Sequence, residues 1–209
     1  MAHCNLYFTS CVLLLLTLNW RASMSVPVPT LSAQDRAHCS QLFRKLLLNI
    51  TGLRNSAVLC FGITSENVVL RSEAETVLAC APPQTQNSSC MMQRNSPFSE
   101  TECLRNIMKD IAYYEAVIRS YLNATLRNTV EETALLMPTL EIIKSLKENC
   151  SLEPNGETSS SEEDVAVQVW GNNTFDNRNE MCKIMRGFHI RTITINRAMG
   201  YISSGDHRK

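Results

Sequence analysis

Apolar residues recur at steps of three and four in four stretches of the chain, the spacing of one buried face on an α-helix. The first stretch, about 35–55, carries Leu42, Phe43, Leu46, Leu47, Ile50 and Leu53. The second, about 99–128, carries Leu104, Ile107, Met108, Ile111, Tyr114, Ile118, Tyr121, Leu122 and Leu126, with no Gly or Pro among them. Ser99 followed by Glu102 marks its start as a capping box. The third, about 130–149, carries Leu135, Leu136, Leu140, Ile143 and Leu146. Thr129 and Glu132 give it a similar start, and Pro138 predicts a kink or a restart. The fourth, about 176–203, carries Met181, Ile184, Met185, Phe188, Ile195, Met199 and Ile202. Residues 190–195 are β-branched enough to pass for a strand, but the helical stripe continues on both sides and predicts helix.

The connections set the topology. About 43 residues, 56–98, separate the first two helices, and about 26, 150–175, the last two. The second and third are nearly contiguous. A helix of about 22 residues is roughly 33 Å long, so a return along its whole length needs on the order of ten extended residues. Long, short, long therefore predicts an all-α, up-up-down-down four-helix bundle with two long crossovers, the arrangement of secreted helical cytokines. An up-down bundle with insertions is the competing topology. It is disfavoured because compact domains rarely hold such loops without reason.

The ends and the cysteines give the compartment. An apolar run within 6–18 is too short to span a bilayer. Ala22, Ser23 and Ser25 follow it, which reads as a secretory signal peptide, 1–25, cut between Ala22 and Ser25. One helical domain, 26–209, remains, expected to be secreted, extracellular and not membrane-inserted. Two of the nine cysteines, Cys4 and Cys11, leave with the leader. Seven stay: Cys39, Cys60, Cys80, Cys90, Cys103, Cys150 and Cys182. In an oxidising compartment they should form three bonds and leave one thiol, free or joined to another chain. Asn49, Asn87, Asn123 and Asn172 open N-x-[ST] sequons and are the candidate glycosylation sites. Asn149-Cys150-Ser151 fits the pattern with a cysteine in its middle.

Charge and composition then narrow the function. The chain has 209 residues, with 20 Lys and Arg against 20 Asp and Glu. That balance argues against a nucleic-acid binder, which needs a basic patch or excess. No cysteine pair has C-x-x-C spacing and the four histidines are scattered, so neither a metal nor another cofactor is expected. There is no G-x-S-x-G, no H-E-x-x-H and no glycine-rich phosphate loop, so the chain reads as a binding protein and not an enzyme.

The last helix carries the sharpest signal. At 100° per residue from Met181, its core residues fall between about 300° and 40°. Ile190, Thr194, Arg197 and Tyr201 fall at about 160–220°, with Ile193 near about 120°. This outward stripe mixes Ile, Tyr and Arg, as interface hot spots do, with Arg197 as the anchor. The alternative is that the first crossover drapes over it.

Several motifs resemble one family. Cys182, then Phe188-His-Ile190-Arg191-Thr-Ile193-Thr194-Ile195-Asn-Arg197-Ala-Met199-Gly-Tyr201, is similar to the last helix of the interleukin-12 alpha subunit family. That family forms the long-chain helical cytokine half of a heterodimer. Residues 73–80, Cys90 with Cys103-Leu104 and Tyr113-Tyr114-Glu115, and Cys39-Ser40-Gln41 with Leu42 and Leu46 to Leu48 resemble earlier parts of it. The resemblance covers about 39–203. It implies a receptor-like beta subunit as partner, cell-surface cytokine receptor chains, and interferon-gamma responses of T and natural killer cells. A self-sufficient monomeric cytokine or hormone of the same fold is the alternative. The resemblance implies that Arg197 enters an acidic pocket on the beta subunit, with Arg191, Thr194 and Tyr201 around it. Arg191, near about 280°, lies at the border with the core. It also implies disulfides Cys39–Cys90, Cys60–Cys182 and Cys80–Cys103. The family has two cysteines, each directly following a sequon, in this crossover, one internal and one joined to the beta subunit. This chain has Cys90 alone. That leaves Cys150 as the extra cysteine, free or interchain, and leaves open whether the heterodimer is disulfide-linked.

Overall fold

The computed structural model describes residues 31–63, 67–69, 74–83, 96–124, 129–151, 170–171 and 173–208. Among these the regular elements are α1 (Ala33–Arg54), α2 (Ala57–Cys60), α3 (Ala74–Ala79), α4 (Glu100–Asn123), α5 (Thr129–Cys150), α6 (Thr174–Ser204) and a closing 3₁₀ turn, Asp206–Arg208. The four long helices are those that the periodicity predicts, and the fold is an all-α four-helix bundle.

Local chemistry fixes the helix ends. Ser32 caps α1 by accepting from the Asp35 N–H at 3.1 Å. Ser99 caps α4 by accepting from the Glu102 N–H at 3.3 Å. Asn173 caps α6 through the Asp176 N–H at 2.7 Å. Each satisfies an N–H with no helical partner. Gly205 (φ 73°) ends α6 in the left-handed conformation that spares a residue without Cβ the usual clash. Residues 190–195 are helical within α6. α4 stops at Asn123, short of 128, because Ala124 turns extended (ψ 137°); 125–128 lie outside the described residues. Pro138 sits inside an unbroken α5. Both Pro138 and Ala134, the residue whose carbonyl loses its donor, are exposed, so water can satisfy that carbonyl.

Paired ends give the directions. The Arg36 guanidinium meets Glu100 at 3.5 Å, joining the starts of α1 and α4. Cys39 is bonded to Cys150, the start of α1 to the end of α5. Cys60 is bonded to Cys182, just beyond α1 and near the start of α6. His207, after α6, lies 3.3 Å from Glu100 at the start of α4. Thus α1 and α4 run one way and α5 and α6 the other. Each member of the first pair packs on both members of the second.

The predicted stripes form the core. Phe43, Leu46, Ile50, Leu104, Ile107, Tyr114, Leu136, Ile143, Met181, Phe188 and Met199 are all buried. Tyr114 stacks on Phe188 with ring centroids 4.0 Å apart, tying α4 to α6. Each such side chain contributes about 1.5–3 kcal/mol by leaving water.

The implied Cys39–Cys90 bond is not formed. Cys39 pairs with Cys150 instead. The reason is topological: antiparallel α1 and α5 bring the second turn of one beside the last residue of the other. Cys150 is therefore buried and internal, neither free nor interchain. The remaining bonds are Cys60–Cys182 and Cys80–Cys103. Together these use six of the seven cysteines in 26–209 and leave Cys90, which lies outside the described residues. The expected signal peptide, 1–25, lies outside them too. No helix among the described residues is long and apolar enough to cross a membrane.

Candidate partner-binding face

α6 belongs to both the core and the surface. Its inner stripe is sealed by α1 and α4, and its outer stripe is left by the same period. On that outer stripe Arg197 is exposed. Among the described residues no carboxylate lies within ion-pair distance of it and no side-chain hydrogen bond engages it. Ile190 is 44% exposed, a large apolar side chain held in water. Ile193 and Thr194 are half-buried beside it, with the Thr194 hydroxyl donating to the Ile190 carbonyl at 3.4 Å. Tyr201 is half-buried, its ring edge-on to Phe98 at 5.2 Å and near His207 at 5.9 Å. The stripe therefore joins Ile190, Ile193, Thr194 and Arg197 as one face, with Tyr201 partly held by its own chain.

Arg191 does not join it. It is 4% exposed, and its Nε lies 3.3 Å from the Asp110 carboxylate of α4. Its place at the border of the stripe decides this: α4 closes over that flank. The Thr76 hydroxyl of α3 donates to the same carboxylate at 2.6 Å and lies 3.1 Å from the Asn106 carbonyl. With Cys80–Cys103, these contacts strap the first crossover to α4. Asp110 is a positioning residue that the apolar pattern hides. The signal was its spacing, three after Ile107 and four before Tyr114, which sets an aspartate on the buried face.

The described part of the crossover meets α6 near its start, where Arg178 donates to the Phe61 carbonyl at 3.2 Å, Cys60 is bonded to Cys182 and the Val69 N–H donates to the Lys183 carbonyl at 3.4 Å, and again near its end, where Phe98 lies against Tyr201. Between these two places the chain runs along α4, and the outer stripe from Ile190 to Arg197 stays open to the described residues.

Charge is unevenly shared around the bundle. α1 carries Arg36, Arg44, Lys45 and Arg54 against Asp35 alone. α6 carries Arg178, Lys183, Arg186, Arg191 and Arg197 against Asp176 and Glu180. On α4 and α5 the acidic residues outnumber the basic ones. The zero total hides a basic α1–α6 side. There His189, half-buried on α6, has its pKa lowered by burial and then by the nearby Arg54 charge. No group of three His, Cys, Asp or Glu among the described residues could hold a metal ion.

The sequon asparagines differ in setting. Asn49 is half-buried, and its side-chain oxygen accepts from the buried Thr139 hydroxyl across α1 and α5 at 2.5 Å. Asn123 is exposed at the end of α4. Asn87 and Asn172 lie outside the described residues.

Comparison with known proteins decides the family. The interleukin-12 alpha subunit family model matches residues 5–205. The chain belongs to the interleukin-12 alpha subunit family. It is 24% identical to the interleukin-12 subunit alpha of Marmota monax over 206 residues, 86% of this chain and 87% of that one. It is 26% identical to that of Mus musculus over 164 residues, 69% and 73%. It is 24% identical to that of Macaca mulatta over 219 residues, 96% and 97%. Membership makes this chain a cytokine subunit, and the bundle is the body that an interleukin-12 alpha chain offers to its surroundings.

Proposed function

We propose that this interleukin-12 alpha family member is secreted and pairs through the outer face of α6 with a receptor-like beta subunit. The heterodimer then signals through cell-surface cytokine receptors and promotes interferon-gamma responses of T and natural killer cells. The observation that carries the pairing is Arg197. It stands exposed on an open helix face, beside a large exposed isoleucine, with no carboxylate of the described residues at hand. A guanidinium so placed presents a fixed fork of donors to an acidic pocket. Desolvated at the centre of an interface, such an anchor is worth 2 kcal/mol or more, roughly 30-fold in affinity.

Co-expression with the beta subunit tests this. Arg197→Asp should abolish co-secretion of the complex while leaving the unfolding free energy of the lone chain within about 0.5 kcal/mol. Unchanged complex formation would sink the proposal.

The revised pairing also bears on the covalent link. With Cys150 bonded to Cys39, Cys90 becomes the leftover thiol, and we assign it the interchain bond. On a non-reducing gel, Cys90→Ser should convert the heterodimer band into two separate chains. Persistence of that band would exclude Cys90 from the link.

A further inference from the structure

We infer that the partner surface met by Arg197 extends across the α1–α6 seam onto α1, where Leu48 is a second anchor and Arg44 its basic flank. This rests on the proposed pairing through α6, and it names the part of the same face that the sequence of α6 cannot show.

Two contacts fix the register of α1 against α6. The Asn196 amide donates to the Phe43 carbonyl at 3.0 Å. Further along, Cys60 is bonded to Cys182. Between these points Leu48 lies level with about residue 192, beside Ile190 and Ile193. Position around α1 follows from its period. Taking Phe43 as 0°, the buried residues centre near about 330°, and Asn49, which meets α5 through Thr139, sits near about 240°. Leu48 falls near about 140°, opposite the core, and Arg44 near about 100°, on the shoulder towards α6.

Leu48 is 75% exposed in the middle of a long helix. A leucine there gains nothing in the isolated chain that a polar residue would lose. With Ile190 and Ile193 it makes an apolar patch spanning two helices. Arg44, Lys45 and Arg197 gather at one end of that patch, level with about residues 195–197 of α6. Each is exposed, and none has a carboxylate within ion-pair distance among the described residues. The occupant is therefore one partner whose contact surface sets an apolar area beside an acidic one. That is the chemistry already required by Arg197, so the same beta subunit covers both helices. An apolar area bordered by charge is the ordinary anatomy of such an interface.

The test uses the full-length chain co-expressed with its beta subunit, with affinity read on the purified chains. Leu48→Asp should weaken the complex by about ten-fold or more and leave the unfolding midpoint of the lone chain unchanged. Val130→Asp is the matched control, since Val130 is 77% exposed at the start of α5, off this face. It should leave affinity unchanged. If Leu48→Asp is silent while Arg197→Asp abolishes pairing, this inference fails and the α6 reading stands. If both are silent, both fail. If Val130→Asp weakens binding equally, added charge and not position is responsible, and the inference fails. Should Leu48→Asp not be secreted, Leu48→Gln and Arg44→Glu replace it, and silence of both overturns the inference.

Discussion

The two sides of the bundle handle charge in opposite ways. On α4 and α5 the charges close on one another. Glu115 accepts from Arg119 at 2.7 and 2.9 Å and from Lys147 at 2.9 Å. Asp110 takes the Thr76 hydroxyl and faces Arg191. On the outward surfaces of α1 and α6, Arg44, Lys45 and Arg197 are exposed without such partners among the described residues. Arg191 and Arg197 sit six residues apart on one helix and belong to different sides. The first is used inside the fold and the second is available to another molecule. A cation serves stability or recognition according to which neighbour the helix period gives it.

The largest effect that separates the sides should come from Asp110. Asp110→Ala removes the carboxylate and leaves the Arg191 guanidinium buried without it. Breaking one partner of a buried pair costs about 3–5 kcal/mol. Urea unfolding of the secreted chain measures it. Adding Arg191→Met should restore much of the loss, because the unpaired charge goes with it. A cost for Asp110→Ala as small as that of Arg197→Asp would erase the distinction between the two arginines.

Glu115→Gln comes next. Burial alone would raise the Glu115 carboxyl, but the hydrogen bonds and charges of Lys147 and Arg119 outweigh it and hold the pKa below its ordinary value. A carboxyl depressed in the folded state adds stability that is present above its unfolded pKa. That stability is lost as pH falls through the folded one. Glu115→Gln should therefore cost about 1–2 kcal/mol at neutral pH. It should also flatten the fall of stability below about pH 4.5. An unchanged acid limb would mean that solvent screens the α4–α5 network.

The core was legible because it repeats. All seven apolar residues picked out on α6 are buried, since burial on one side is what a 3.6-residue period records. The crossed connections were legible from loop length. What the stripe could not show is which flank a neighbour covers. Arg191 and Arg197 differ by that alone, and so do Ser40, buried on α1, and Leu48, exposed on it. One of the three implied disulfides failed for a related reason. The resemblance implied Cys90 for Cys39, whereas antiparallel packing of α1 and α5 puts Cys150 beside it; Cys60–Cys182 and Cys80–Cys103 formed as implied. Three-dimensional proximity across antiparallel helices leaves no local mark in a sequence.

The smallest effect should come from His189, at the α1–α6 seam inside the basic side. Its pKa is lowered by burial first and by the Arg54 charge second. The folded chain therefore resists the proton that the unfolded chain accepts. Between the ordinary imidazole value of 6.5 and the lower folded one, the unfolded state binds more protons. Stability then falls as pH drops through that window. His189→Gln should remove this slope. Because the side chain is half-exposed and the charge is screened, the change amounts to about a few tenths of a kcal/mol. Unfolding curves at pH 7 and pH 5 should converge slightly in the variant, while the Glu115 limb at lower pH stays as it was. An unaltered slope between pH 7 and pH 5 would show that the basic side of the bundle is too well solvated for its charges to act on one another.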